Sequence, residues 1–234
     1  MSVKFNGIYF DFFGTLVDGR HSITSVWSRI AQKLGKEIEP SDPRILQGMQ
    51  EQNEVAATMS DNYMNFTIVQ RKKLNTIVLK AMGINQEASE SFVNEEFKQE
   101  FSTGKAFRLN PNCRTTIEQI HALNLKIGLI SHASPSLCKT VLERFGLLKF
   151  FEIFVLTEDT GYNKSQIEIY EIALKAMNAN NPEKIVHVGD DLKMDVRMAQ
   201  KVGMIPIFFN PYNLHEVEDV ITITDLSEVL QHLL

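Results

Sequence analysis

Short apolar runs rich in Val, Ile and Phe recur after residue 120: LKIGLIS (125–131), FEIFVLT (151–157), KIVHVG (184–189), IPIFF (205–209) and VITI (220–223). Unbroken runs of this length, bounded by polar or Gly-containing segments, predict short strands buried on both faces. Between them, residues 112–123, 135–145, 166–177 and 194–202 carry apolar positions three and four apart, the spacing of helices with one buried face. Strand and helix in alternation predict βαβ units and a parallel sheet. VKFNGIYF at residues 3–10 supplies a further strand for the same sheet.

Residues from about 20 to 105 break the rhythm. Helical spacing covers 23–34, 43–58, 64–82 and 87–101, with Asp42-Pro43 as a helix start and Gly35 and Gly83 as stops. The expected organisation is therefore α/β: a Rossmann-like core from residues 1–17 and 106–234, with a helical insert at 18–105. Trp27, Met64 and Phe66 fit the insert's own core, and no fixed-period repeat appears.

Composition narrows the function classes. The 234 residues are 44% hydrophobic and 23% charged, an ordinary globular balance. A formal charge of -5 with no basic run argues against a nucleic-acid partner. No run approaches the ~18 apolar residues of a membrane span. Two cysteines, Cys113 and Cys138, make no disulfide framework; with an N-terminus that reads as a strand, a cytoplasmic location is expected. Nothing in the sequence sets an oligomeric state.

In open α/β sheets, active sites lie beyond the carboxyl ends of the strands. Asp11, Gly14 and Thr15 follow the first strand, and Ser131 and His132 follow LKIGLI. Lys164 lies in the loop EDTGYNKS, and Asp190 and Asp191 follow KIVHVG, with Asp195 one turn later. Taken singly these residues are ordinary: a strand-end Asp makes turns, Asp191 suits a helix N-cap, and a loop lysine is usually solvated. Together, carboxylates, hydroxyls and an ammonium suit a small anionic substrate held beside a divalent cation.

Four segments, DFFGT (11–15), LISH (129–132), GYNKSQIEIY (161–170) and VGDDLKMD (188–195), resemble the motifs of the haloacid dehalogenase-like (HAD) hydrolases, in family order and at family-like spacing. The resemblance implies a cap domain at the insert and a Mg²⁺ cofactor. It implies Asp11 as a nucleophile forming an aspartyl intermediate. Thr15, Ser131 and His132 would contact substrate, and Lys164 would neutralise charge. Asp11, the Phe13 carbonyl and Asp190 would hold the metal, with Asp195 in support. Tyr170 falls where the family commonly has an aromatic, with packing as its first role.

The sequence also departs from the motifs. The family's phosphatases carry an acid two residues after the nucleophile, which protonates the leaving oxygen and later activates water; here that place is Phe13. General acid–base help is worth about 10²–10⁴ in rate. His132 stands where Asn is usual and could replace the missing proton carrier. Ser165 follows Lys164 where Pro is usual. The leading expectation is a phosphatase acting on a small phosphorylated metabolite. A 2-haloacid dehalogenase would explain Phe13, with Arg29 or Arg44 holding halide or carboxylate, but would leave Asp190 unexplained. An impaired HAD-fold binding protein is the third reading. His187, in mid-strand, reads as structural.

Overall fold

The computed structural model describes residues 4–59, 67–85, 87–104, 107–213 and 217–234. The chain divides into two compact units. One comprises Met1–Gly19 and Arg108–Leu234, the other Arg20–Phe107.

The first unit is built on a parallel sheet of six strands in the order β3-β2-β1-β4-β5-β6. The strands are β1 (Gly7–Phe10), β2 (Lys126–Ser131), β3 (Ile153–Leu156), β4 (Ile185–Gly189), β5 (Ile205–Phe209) and β6 (Ile221–Ile223). β1 and β4 are buried along their whole length, so their apolar runs face cover on both sides. The edge strands β3 and β6 differ from the expectation of two buried faces. Both include half-buried positions, and β6 has one exposed; β5, an inner strand, also begins with two half-buried residues, so edge position alone does not set this burial. The run FEIFVLT yields a strand only at Ile153–Leu156, followed by a four-residue helix, Thr157–Thr160.

In the second unit, α1 (Gly19–Lys33), α2 (Pro43–Ala57), α3 (Ile68–Ala81) and α4 (Glu90–Thr103) are the long helices among the described residues. The start of α1 lies at the junction. Asp42 caps α2 by accepting from Arg44 N, with Pro43 at the first turn. Thr67 and Gln70 form a reciprocal capping box on α3. Gly35 and Gly83 take left-handed backbone just past α1 and α3. Trp27 sits in this unit's core with Val26, Ile30 and Val78, its ring edge-on to Phe97 at 5.6 Å. Met64 and Phe66, expected in that core, lie outside the described residues.

In the first unit, α5 (Cys113–Ala122), α6 (Pro135–Arg144), α7 (Thr157–Thr160), α8 (Ile167–Ala176), α9 (Arg197–Lys201) and α10 (Val229–Leu233) complete the α/β unit. Tyr9 of β1, Ile130 of β2 and Ile185 of β4 pack with Ile169, Tyr170 and Ala173 of α8 in one buried cluster. Residues 194–202, expected as one helix, begin instead as a π-turn over Leu192–Val196 before α9. Its wide turn closes through Val196 N to Asp191 O at 3.1 Å. Cys113 and Cys138 are buried free thiols. No helix among the described residues is long and apolar enough to cross a membrane.

Candidate active site

β1 ends at Phe10, and the next residue still pairs with β4: Asp11 N donates to Val188 O at 2.9 Å. This fixes the Asp11 backbone at the carboxyl edge of the central strands. The chain then turns sharply. Gly14 N donates to Val17 O at 2.9 Å, and Gly14 has φ +84. A Cβ on Gly14 would stand 2.1 Å from the Asp190 carboxylate, so only glycine lets the two loops approach. Thr15 donates its hydroxyl to Asp190 Oδ1 at 3.1 Å. Asn110, which sequence reasoning missed, holds the turn from behind: its amide donates to Gly14 O at 3.0 Å and Thr15 O at 2.8 Å. Its one local signal is Asn110-Pro111, a turn-forming pair.

β4 delivers the acids. Asp191 caps the π-turn, its Oδ1 accepting from Lys193 N at 2.8 Å and Met194 N at 2.7 Å. That leaves Asp190 turned to Thr15 and Asp195 folded back under the strand end. Gly189 permits this fold, since a Cβ there would lie 2.1 Å from the Asp195 carboxyl carbon. Carboxylate oxygens of Asp11, Asp190 and Asp195 lie within 4.8 Å of one another.

Lys164 bridges two of these acids. Its ammonium sits 2.5 Å from Asp11 Oδ1 and 2.5 Å from Asp195 Oδ1, almost wholly buried. The loop that carries it is pinned by His132, whose Nε2 accepts from Lys164 N at 2.8 Å. That nitrogen is therefore unavailable as a proton donor. Partial burial and the Lys164 charge both push the His132 pKa down. Ser131 is buried at the end of β2, its hydroxyl accepting from Ala133 N at 3.1 Å. Phe12 is fully buried, and its ring meets that of Phe13 edge-on at 5.1 Å. Tyr170 is also buried, its hydroxyl donating to Met194 O.

Three acids against one ammonium leave an excess of negative charge in a site where Asp11, Asp195 and Lys164 are buried and Asp190 is more accessible. Burial, with Asp195 and Asp190 nearby, pushes the Asp11 carboxyl up to about 8 against the pull of Lys164. Burial and Asp195 likewise push Asp190 up to about 6. Burial opposes ionisation of Asp195 as well, but Lys164 and His187 outweigh it and hold that carboxyl well below the usual range. For Lys164, the same two acids, Asp11 and Asp195, overcome burial and keep the amine charged. A divalent cation would relieve the repulsion between Asp11 and Asp190, so this donor set fits one.

A family model of the haloacid dehalogenase-like hydrolases matches residues 5–203. The chain belongs to the haloacid dehalogenase-like hydrolases. Within the family, it is 25% identical over 212 residues to the phosphorylated carbohydrates phosphatase of Thermotoga maritima, covering 89% of this chain and 87% of that protein. It is 26% identical over 103 residues to the ribulose-1,5-bisphosphate 5-phosphatase of Halopiger xanaduensis, covering 44% of this chain and 43% of that one. Matches to other curated relatives likewise span about half of their length. YfnB of Bacillus subtilis, a HAD-hydrolase whose crystal structure is bound to magnesium, superposes with TM-score 0.77 at 16% identity, covering 98% of both chains; this likeness speaks to the fold.

Proposed function

We propose that this chain is a Mg²⁺-dependent phosphohydrolase that acts on a small phosphorylated metabolite through an aspartyl phosphate on Asp11. The observation that carries the proposal is the buried set of Asp11, Lys164 and Asp195, with the more accessible Asp190 beside it, in which one ammonium holds both the proposed nucleophile and a supporting acid at 2.5 Å. Asp11, Asp190 and the Phe13 carbonyl are the proposed Mg²⁺ ligands. The cation would supply charge neutralisation for the phosphoryl oxygens and hold Asp11 ionised. Relatives named as phosphatases support the substrate class. The helical unit, residues 20–107, is assigned the cap's role of choosing the substrate.

In this reading an Asp11 carboxylate oxygen forms a bond to phosphorus and the bond to the leaving oxygen breaks. Ser131, Thr15 and Lys164 steady the phosphoryl oxygens. Water then attacks the phosphorus of the acyl phosphate, releasing phosphate and restoring Asp11. Phe13 can neither protonate the leaving oxygen nor take a proton from that water. The first step therefore favours leaving groups that depart unprotonated, and the second step is slowed for every substrate.

The test is phosphate release from acetyl phosphate, p-nitrophenyl phosphate and a hexose phosphate, with Mg²⁺ or EDTA. The expected order is activated substrates above the sugar phosphate, with loss of all activity in EDTA. Equal release by wild type and Asp11→Asn would sink the proposal. Phe13 itself favours one rival, a 2-haloacid dehalogenase, because halide leaves without a proton. However, both arginines considered for halide are engaged: Arg29 with Glu100, and Arg44 with Asp42 at 2.6 Å. Chloride release from 2-chloropropionate in EDTA would favour that rival.

A further inference from the structure

His187 occupies the middle of β4, a central strand buried along its length. A branched apolar residue is what such a position ordinarily takes. A buried imidazole costs free energy unless its ring nitrogens are satisfied. Here Nδ1 is buried with no hydrogen-bond partner among the described residues. The ring's hydrogen bond runs from Nε2 to Asp195 Oδ1 at 3.0 Å. A carboxylate only accepts, so Nε2 carries the proton.

The same Asp195 oxygen receives the Lys164 ammonium at 2.5 Å, while Oδ2 accepts from Asp191 N at 3.1 Å. Asp195 is thus fixed by three donors from three directions. The imidazole is held in turn: the Tyr170 ring meets it edge-on at 5.6 Å and 84°, and the Tyr170 hydroxyl is tied to Met194 O, one residue before Asp195. An unbroken line of contacts runs from His187 through Asp195 and Lys164 to Asp11.

We infer that His187 is a positioning residue for Lys164. By donating to Asp195 Oδ1 it occupies part of that oxygen's acceptor capacity and locks the carboxylate. The ammonium then stays shared with Asp11 and is not drawn wholly onto Asp195. The inference rests on the reading of Asp11 and Lys164 as the working pair. It accounts for a buried histidine with one idle nitrogen, which packing alone leaves unexplained.

Steady-state hydrolysis of p-nitrophenyl phosphate with Mg²⁺, by wild type, His187→Leu, His187→Gln and Lys164→Met, tests it. Glutamine can place an N–H where the histidine Nε2–H lies. The expected result is a kcat loss of about 10–100-fold in His187→Leu with KM changed by less than about twofold, and recovery of most of it in His187→Gln. Unchanged kcat in His187→Leu, or equal losses in Leu and Gln variants, overturns the inference. Full activity in Lys164→Met overturns instead the functional reading beneath it. If His187→Leu does not fold, ¹⁵N spectra of the wild-type imidazole decide: a protonated Nε2 is expected, and a bare Nε2 overturns the inference.

Discussion

Gly14 carries more of the site than its lack of a side chain suggests. Its φ of +84 is left-handed, and a Cβ would strike the Asp190 carboxylate. Gly14→Ala should therefore destabilise the protein by more than the ~1–2 kcal/mol of left-handed backbone alone, because Asp190 must also move. Mg²⁺ affinity should fall with it. Urea denaturation and Mg²⁺ calorimetry check both, and a variant that binds Mg²⁺ normally would show that Asp190 is not placed by this contact. Lys164 is the second sensitive residue. Lys164→Met leaves Asp11 and Asp195 buried without their shared cation, and breaking such a pair typically costs ~3–5 kcal/mol. A loss well below 1 kcal/mol in urea would mean that the ammonium is dispensable to the fold.

At the scale of elements, the loop after β1 is held by Asn110, in the segment just ahead of α5. Asn110→Leu strands two carbonyls, those of Gly14 and Thr15, at ~1–3 kcal/mol for each unsatisfied group. Chemical denaturation should register that loss, and unchanged stability would mean that water or a shifted loop satisfies both. The contrast between Asn110 and Asp11 shows what a sequence displays. Asp11, Lys164 and Asp190 are legible because each follows an apolar run, and strand ends converge in a parallel sheet. Asn110 acts on carbonyls some ninety-five residues away, and no local pattern marks that pairing. His187 hides for another reason, since its partner Asp195 is reached only through a π-turn where helical spacing suggests an ordinary helix. β3, β5 and β6 were legible as strands, but their half-open positions depend on tertiary cover, which run length does not encode.

For the whole molecule, the excess of acid in the site links stability to pH. Asp11 and Asp190 titrate near 8 and 6 in the folded chain, above their ordinary range, so the folded state holds protons that the unfolded chain has released. Their stabilising contribution is present at low pH and is lost as pH rises through about 6 and then about 8. A cation competes with those protons, so the rise in Tm on adding Mg²⁺ should grow from below pH 6 to above pH 8. A Mg²⁺ effect of constant size across that range would contradict a cation at Asp11 and Asp190. The central claim is the covalent step on Asp11, and Phe13 makes it accessible. Without a base to activate water, the acyl phosphate should accumulate when the leaving group is good. The most direct measurement is acid quench during turnover of acetyl phosphate, borohydride reduction and peptide mass analysis. Conversion of residue 11 to homoserine, absent from Asp11→Asn, is the expected result. Unmodified Asp11 recovered from enzyme that is still releasing phosphate would contradict the account.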